Sequence, residues 1–304
     1  MRSGGKIKRH FYQLDVFTQT PFAGNPLAVV TDGDGLSTRQ MQAIAREMNL
    51  AETVFVQKPT SDRALARLRI FTTVSELPLA GHPVIGSWFL LAQLGVVPAQ
   101  HGSVHVLQQT GAGVLPVEIE FSEGRPKSVT MTQRPAEFRP ARLNPAVVRR
   151  ALGLSPRDLH PFLPIEFVST GIFNLLVPLR ERAALQRVEA DQRLLRKLLA
   201  GKAGVAYCFA LKPRSRNSAD AVFARGMLPW ALGEDAATGS AAGSLGAYLV
   251  HQGQLKLATP LDITQGVEMR RPSKIRVEVL AQHGKLVPRI SGTAVTVLEG
   301  SFEL

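Results

Sequence analysis

The chain has 304 residues, of which 45% are hydrophobic, so it is long and apolar enough to form one large domain or two of ordinary size. No apolar run approaches the length of about 20 residues that a membrane-spanning helix requires, and no signal-peptide pattern is present. We therefore expect a soluble, cytoplasmic protein that does not bind membranes. The single cysteine, Cys208, excludes an internal disulfide and any chemistry that requires two thiols.

The formal net charge of +12 raises the question of a nucleic-acid partner. Much of this charge is spread along arginine-rich segments such as 180–196, and no recognition helix, zinc-ligand spacing or aromatic RNA-binding motif accompanies it. We therefore predict no nucleic-acid partner and interpret the charge as a solvated surface that favours small anionic molecules. The scattered histidines have no ligand spacing, so we also predict no metal site.

The first half of the chain alternates short strands with two helices. Residues 1–9 are expected to form a disordered leader. Ser37 and Gln40 have the spacing of a capping box at the start of the first helix, and Asn49 can end that helix in a left-handed conformation. Strands are predicted from period-two patterning and turn residues at 10–16, 27–30, 51–57, 65–72, 104–109 and 114–121.

One of these strands contains a chemical anomaly, because Glu52 shares its apolar face with Val54 and Val56. Burying an ionised carboxylate without partners is costly. The residue is therefore either at an exposed strand end or held there for a chemical purpose, and the spacing alone leaves both alternatives open.

The second half of the chain again alternates short strands with helices, after a candidate domain boundary at 122–126. We predict one domain at 1–124, joined by a C-terminal strand at about 288–304, and a second domain at 125–287. Asn144 and Pro145 open a short helix, and further helices are expected at 180–187 and 191–199. Strands are predicted at 128–133, near 167, at 175–178 and 205–211, and in the alternating tail at 263–304.

The most informative stretch is 233–253, with the sequence GEDAATGSAAGSLGAYLVHQG. An acidic pair precedes a turn and then a helix of small and apolar residues, for which Thr238 or Ser240 is the candidate N-cap. Gly243 and Gly246 inside this helix each cost about 1 kcal/mol relative to alanine. Their presence indicates close packing on more than one side, and hence a central helix.

An earlier stretch at 76–95, with the sequence ELPLAGHPVIGSWFLLAQLG, matches this one at a constant shift of 158 positions. Upstream, 69–72 resembles 221–224 at a shift of 152, which an insertion of about six residues would reconcile. We interpret the pattern as an internal duplication in which each copy offers one helix N-terminus. The predicted fold class is α+β, with a curved sheet that wraps a central helix in each of two similar domains.

Four motifs follow one another along the chain. They are Asp15-Val16-Phe17-Thr18 with Pro21-Phe22-Ala23-Gly24-Asn25-Pro26, Asn49-Leu50-Ala51-Glu52-Thr53, Glu76-Leu77-Pro78-Leu79-Ala80-Gly81-His82-Pro83, and Glu234-Asp235-Ala236-Ala237-Thr238-Gly239-Ser240. In residues and in order, these motifs resemble the PhzF-like isomerase family of phenazine biosynthesis. The resemblance covers nearly the whole chain. It implies the diaminopimelate epimerase fold, with two similar domains and an active site in the interdomain cleft.

The resemblance also implies a cofactor-independent isomerase or epimerase that moves a proton at a carbon centre of a small, carboxylate-bearing substrate. Backbone N–H groups at two helix starts can stabilise the negative charge that builds up when that proton leaves. In the Gly-Asn-Pro loop, Asn25 is either a turn residue or a substrate contact. The candidate catalytic residues are Glu52 as acid/base, His82 and Asp235, and the candidate substrate-binding residues are Ser240, Gly81, Gly239 and Asn25.

The chain departs from the family pattern at three positions. Ala51 replaces a serine, Ala236 replaces a proline, and Arg270 stands where a glycine commonly precedes Arg-Pro-Ser. The first two leave the chemical side chains in place, and Arg270 adds a charge that favours an anionic substrate. The alternative function is a non-catalytic protein that binds a small molecule or a partner and retains the fold. The family tendency predicts a homodimer.

Overall fold

The computed structural model describes residues 8–98, 101–211, 221–229 and 233–304. Residues 1–7 of the expected leader lie outside the described residues. The other two residues of that leader, Lys8 and Arg9, belong instead to the first strand, because they pair with the C-terminal strand at Glu303 and Phe302.

The chain divides into two compact units, Met1–Met131 with Gly292–Leu304, and Thr132–Ser291. Each combines a sheet with helices, so the predicted α+β class is confirmed. The elements up to the boundary are β1 (Lys8–Val16), β2 (Asn25–Val30), α1 (Thr38–Met48), β3 (Glu52–Gln57), β4 (Ala66–Phe71), β5 (Glu76–Leu77), α2 (Gly81–Gln93), β6 (Gly102–Thr110), β7 (Gly113–Ser122) and β8 (Arg125–Thr132).

The remaining elements are β9 (Glu137–Pro140), α3 (Pro145–Leu152), a 3-10 turn (Pro156–Asp158), β10 (Glu166–Ser169), β11 (Phe173–Leu179), α4 (Arg182–Gln186), α5 (Gln192–Leu199), β12 (Val205–Leu211), β13 (Ala221–Met227), β14 (Glu234–Asp235), α6 (Gly239–His251), β15 (Leu261–Gln265), β16 (Ser273–Gln282), β17 (Lys285–Gly292) and β18 (Ala294–Glu303). The last of these, β18, belongs to the first unit.

The two units share one strand topology. The first follows the order β18-β1-β2-β3-β4-β6-β7-β8, and the second follows the order β9-β10-β11-β12-β13-β15-β16-β17. In both, the third and fifth pairings are parallel and the others are antiparallel. A short strand, β5 or β14, also pairs with the fifth strand of the order, β4 or β13. The C-terminal strand β18 therefore has the place in the first unit that β9 has in the second.

The central helices α2 and α6 are each 13 residues long and are buried around most of their circumference. Helix α2 packs against β1, β2, β3, β7 and β18, and α6 packs against β10, β11 and β16, so each sheet curves around its helix. A Cβ atom on Gly246 would lie 2.5 Å from Val277, and one on Gly243 would collide with the side chain of Gln133. The predicted close packing of these glycines on two sides is confirmed.

Shorter helices cover other parts of the sheets. Ser37 and Gln40 form the predicted capping box of α1, and Asn49 ends that helix with a φ of 51°. The apolar side of α1 joins Val30 and Phe55 in a core cluster of the first unit, and α3, α4 and α5 cover part of the second sheet through another cluster. None of the described helices is both long and apolar enough to cross a membrane.

One departure from the family pattern has a backbone consequence, because Arg270 has a φ of 58°. We predict that Arg270→Gly raises the free energy of unfolding by about 1 kcal/mol, since a residue with a Cβ atom is disfavoured in the left-handed region and glycine is not. The control is Arg270→Ala, which removes the charge but keeps the Cβ atom and should give no such gain. Urea unfolding measures both, and equal gains from the two variants would assign the effect to charge.

Candidate active site

The first unit brings Glu52 and His82 together. Glu52 is the first residue of β3 and His82 is the second residue of α2, and their side chains are 16% and 7% exposed. The Nε2 atom of His82 lies 3.2 Å from Oε2 of Glu52. The ring N–H is not well aligned with that oxygen, so the contact is a close approach rather than a strong hydrogen bond. Glu52 is thus at a strand end, but it is largely shielded and beside a possible donor.

Burial determines the charge of His82. Desolvation lowers the pKa of this imidazole to about 3, well below the ordinary value of about 6.5. The ring is therefore neutral at pH 7. A neutral imidazole has one N–H donor and one acceptor nitrogen, so its hydrogen bonds depend on which nitrogen carries the proton.

A third candidate, Asn25, lies on the opposite side of the same ring. Its Nδ2 atom is 3.4 Å from Nδ1 of His82, and the residue is buried at the start of β2. Parallel pairing of β2 with β3 places Leu27 opposite Glu52, which brings the starts of these two strands together. Three residues that are distant in sequence thus form one polar cluster.

The first turns of the two central helices lack side-chain caps. The N-cap residue of α2 is Ala80 and that of α6 is Thr238, and neither makes a side-chain bond to the helix backbone. Neither helix has an acidic residue in its first turn. The N–H groups at these starts carry partial positive charge and can bind an anion. Gly81 begins α2 and Gly239 begins α6, and Ser240 is in the first turn of α6 rather than at its N-cap.

In the second unit, Asp235 belongs to a hydrogen-bonded network ahead of α6. The hydroxyl of Thr238 donates to Oδ2 of Asp235 at 2.7 Å. The amide of Gln265 donates to the carbonyl oxygen of Asp235 at 2.8 Å and to Oγ1 of Thr238 at 3.0 Å. Its oxygen accepts from the backbone N–H of Thr238 at 3.0 Å and from the hydroxyl of Tyr207 at 2.8 Å. This buried glutamine therefore fixes the segment that leads into the helix.

An arginine–glutamate pair precedes the central helix in each unit. Arg69 donates to both oxygens of Glu76 at 2.8 and 2.6 Å, and Arg225 donates to both oxygens of Glu234 at 2.9 and 2.7 Å. Arg225 also donates to the carbonyl oxygens of Leu185 and Val188. Glu76 and Glu234 therefore have the same structural role: each connects the segment before the central helix to the neighbouring strand.

The strand register corrects the upstream alignment of the duplication. Phe71 pairs with Glu76, and Met227 pairs with Glu234, so Phe71 and Met227 are equivalent. The shift in these strands is therefore 156 rather than the expected 152. The alignment at 152 was wrong because it matched apolar patterns that repeat with period two along any strand.

The same register shows where the two copies differ chemically. Thr53 pairs with Phe71 and Ala206 pairs with Met227, so the residue equivalent to Glu52 is Val205. The duplicated scaffold therefore has this carboxylate in one copy only.

Sequence reasoning missed Gln265 and the two arginines. A signal existed for Arg69 and Arg225, because each lies on the strand before a duplicated acidic residue, whereas Gln265 stands at the end of a strand with no local feature that marks it. Cys208 is buried in a core cluster of the second unit, and burial raises the pKa of its thiol to about 12. The described residues contain no cluster of three or more His, Cys, Asp or Glu side chains suited to a metal ion.

Comparison with known proteins supports an enzyme. Residues 14–300 match the family described as phenazine biosynthesis-like protein. The chain is 36% identical to the trans-2,3-dihydro-3-hydroxyanthranilate isomerase of Pseudomonas chlororaphis, over 97% of this chain and 99% of that protein. Its structure is similar to the phenazine biosynthesis protein of the PhzF family from Bacillus anthracis, with a TM-score of 0.85, 28% identity and coverage of 98% and 99%.

A hydroxyproline epimerase from Agrobacterium vitis shares the fold alone, with a TM-score of 0.66, 16% identity and coverage of 98% of this chain and 91% of that one. The fold and these similarities define the protein as an isomerase. The chain belongs to the phenazine biosynthesis-like protein family, as its four motifs predicted.

The duplicated ion pairs provide a matched stability test. Arg225→Met leaves Glu234, which is 15% exposed, without its cation, and we expect a loss of about 3–5 kcal/mol in the free energy of unfolding. Arg69→Met should cost about 1 kcal/mol or less, because Glu76 is 36% exposed and water can solvate it. Urea unfolding compares the two, and the double variant R225M/E234Q should recover part of the first loss. Equal losses at the two positions would contradict this difference in burial.

The depressed pKa of His82 predicts a pH dependence of stability. Below about pH 6.5 the unfolded chain binds a proton on this residue that the folded protein excludes until about pH 3. The stability is therefore fully present above pH 6.5 and decreases by about 1.4 kcal/mol per pH unit as the pH falls below it. Urea unfolding of the wild type and His82→Gln from pH 7.5 to 5 should show this extra slope only in the wild type. Parallel curves would show that His82 titrates alike in both states.

Proposed function

We propose that the protein moves a proton at a carbon centre of a small, carboxylate-bearing substrate, with Glu52 as the acid/base and without a cofactor. The observation that carries this proposal is the largely shielded carboxylate of Glu52, 3.2 Å from the neutral ring of His82 at the start of a helix. A titratable group with a perturbed pKa that lies against a shielded carboxylate is typical of catalytic sites. A carboxylate can accept a proton from carbon and return it to another carbon.

The negative charge that develops on the substrate needs hydrogen-bond donors. The N–H groups at the uncapped start of α2, beginning at Gly81, are such donors, and they are next to His82. The helix has no acidic residue in its first turn to compete with an anion. These features favour an anionic substrate, as does the net charge of +12.

A single acid/base favours isomerisation over epimerisation by two bases. Val205, at the position equivalent to Glu52, cannot exchange a proton. One carboxylate that removes a proton and returns it to a different carbon of the same substrate accounts for this arrangement. The relative from Pseudomonas chlororaphis is named for the isomerisation of a carboxylate, trans-2,3-dihydro-3-hydroxyanthranilate, which makes this compound the first substrate to test.

In the second unit, we propose that Gly239 and Ser240 offer donors to substrate and that Asp235 tunes them. The bond from Thr238 to Asp235 supports this assignment, because it ties the carboxylate to the N-cap of α6. A homodimer stays a prediction.

The test is proton exchange in deuterated water, with trans-2,3-dihydro-3-hydroxyanthranilate and a panel of small unsaturated carboxylates. We expect the wild type to incorporate deuterium at carbon or to convert the substrate, and Glu52→Gln to lower the rate by about 10²–10⁴-fold, because the amide cannot accept the proton. Mass spectrometry and proton NMR measure both the label and the product.

Glu47→Gln is the matched control, since Glu47 is an exposed residue of α1 and the change removes the same charge. Its rate should equal that of the wild type. Exchange that persists undiminished in Glu52→Gln would remove Glu52 from the mechanism. Saturable binding without exchange for every compound would favour a protein that only binds small molecules.

A further inference from the structure

The loop between β1 and β2 is held in an unusual conformation by a buried carboxylate. Phe22 has a φ of 67°, which is uncommon for a bulky residue, and the residue is 72% exposed, so burial of its side chain does not stabilise this conformation. Its backbone N–H instead donates to Oδ2 of Asp15 at 2.6 Å. Asp15 is almost completely buried in β1. The two segments of the first family motif, 15–18 and 21–26, thus act as one structural unit.

The end of that loop places Asn25. Gly24 has a φ of 64°, and a Cβ atom there would collide with the carbonyl oxygen of Val16. Asn25 then pairs with Val16 in the antiparallel ladder and is 2% exposed. The loop and the ladder together leave the amide of Asn25 little freedom, and they direct it at His82.

The identity of the facing atoms specifies a tautomer. Nδ2 of Asn25 is 3.4 Å from Nδ1 of His82, and an amide nitrogen is a donor that cannot accept. Nδ1 must therefore be the acceptor. The neutral ring then has its proton on Nε2, which is the atom that lies 3.2 Å from the carboxylate of Glu52.

We propose that Asn25 is a positioning residue that holds His82 in the tautomer with its proton on Nε2, the ring nitrogen beside the carboxylate of Glu52. This inference rests on the proposed role of Glu52 as acid/base. The partial positive charge of an N–H at this distance stabilises the ionised carboxylate that accepts a proton, whereas the other tautomer would place the lone pair of Nε2 beside the oxygen. In this proposal Asn25 acts through His82, which is a third role beside the expected alternatives of a turn residue and a substrate contact.

Long-range proton–nitrogen NMR of the ¹⁵N-labelled protein tests the tautomer directly, with the signal of His82 assigned by its loss in His82→Gln. In the wild type we expect the pattern of a neutral ring protonated at Nε2. Asn25→Asp should move the proton to Nδ1, because a carboxylate accepts and does not donate. Asn25→Ala should leave a mixture, because it removes the donor without supplying an acceptor. A ring protonated at Nδ1 in the wild type would overturn the proposal, and this measurement needs no variant of Asn25 to fold.

The kinetic arm separates positioning from substrate binding. In the exchange assay, we expect Asn25→Asp and Asn25→Ala each to lower kcat on the order of 10²-fold with little change in KM. The reason is that both variants misplace the reacting groups but leave the substrate-binding contacts intact. A raised KM with unchanged kcat would overturn the proposal and make Asn25 a substrate contact. An unchanged kcat in an Asn25→Asp protein whose tautomer has changed would also overturn it.

Asn144→Asp is the matched control for the chemical change. Asn144 caps α3 by accepting from the backbone N–H of Ala146, and aspartate caps equally well. It should leave both the tautomer of His82 and the exchange rate unchanged. If Glu52→Gln retains full exchange, the proposed function fails whatever the tautomer is; if Glu52→Gln is inactive and the tautomer is the opposite one, only the present inference fails.

Discussion

Each unit depends on how its buried helix begins. A helix start leaves backbone N–H groups without partners, and inside a sheet the helix must also enter at a fixed place. Neither α2 nor α6 is capped by a side chain, so the segment ahead of each helix is held by an arginine–glutamate pair that bridges to the adjacent strand. The first-turn N–H groups therefore have no side-chain cap, while other residues maintain the position of the helix.

The position of α2 also determines the properties of the candidate site in the first unit. Burial at the start of α2 keeps His82 neutral, and a neutral ring can offer its proton on one side only. The side is specified by Asn25, whose place is fixed by the left-handed Gly24 and by strand pairing. The protonation of the site is thus a property of loop geometry and burial as much as of the acid/base residue itself.

Duplication supplied two equal scaffolds, and the chemistry distinguishes them. Strand order, helix length and ion pair are shared, whereas the carboxylate of Glu52 has Val205 as its counterpart and His82 has Ser240. Glu76 and Glu234, by contrast, are acidic in both copies. Each forms an ion pair with an equivalent arginine, which explains why both copies have a glutamate there. The acidic residues at this duplicated position are therefore structural, whereas Glu52, whose counterpart is not acidic, is the candidate acid/base.

The sequence by itself determined the local structure and the family. Caps, turns and period-two strands depend on neighbours within a few residues, so the capping box at Ser37, the left-handed Asn49 and both central helices were predictable. Only the tertiary structure decided that β18 pairs with β1, that Arg225 holds Glu234 and that Asn25 faces His82. These contacts join residues that are far apart in the chain. The register of strand pairing brings them together, and local sequence spacing does not determine that register. Burial, which sets the charge of His82, is likewise a property of the whole fold.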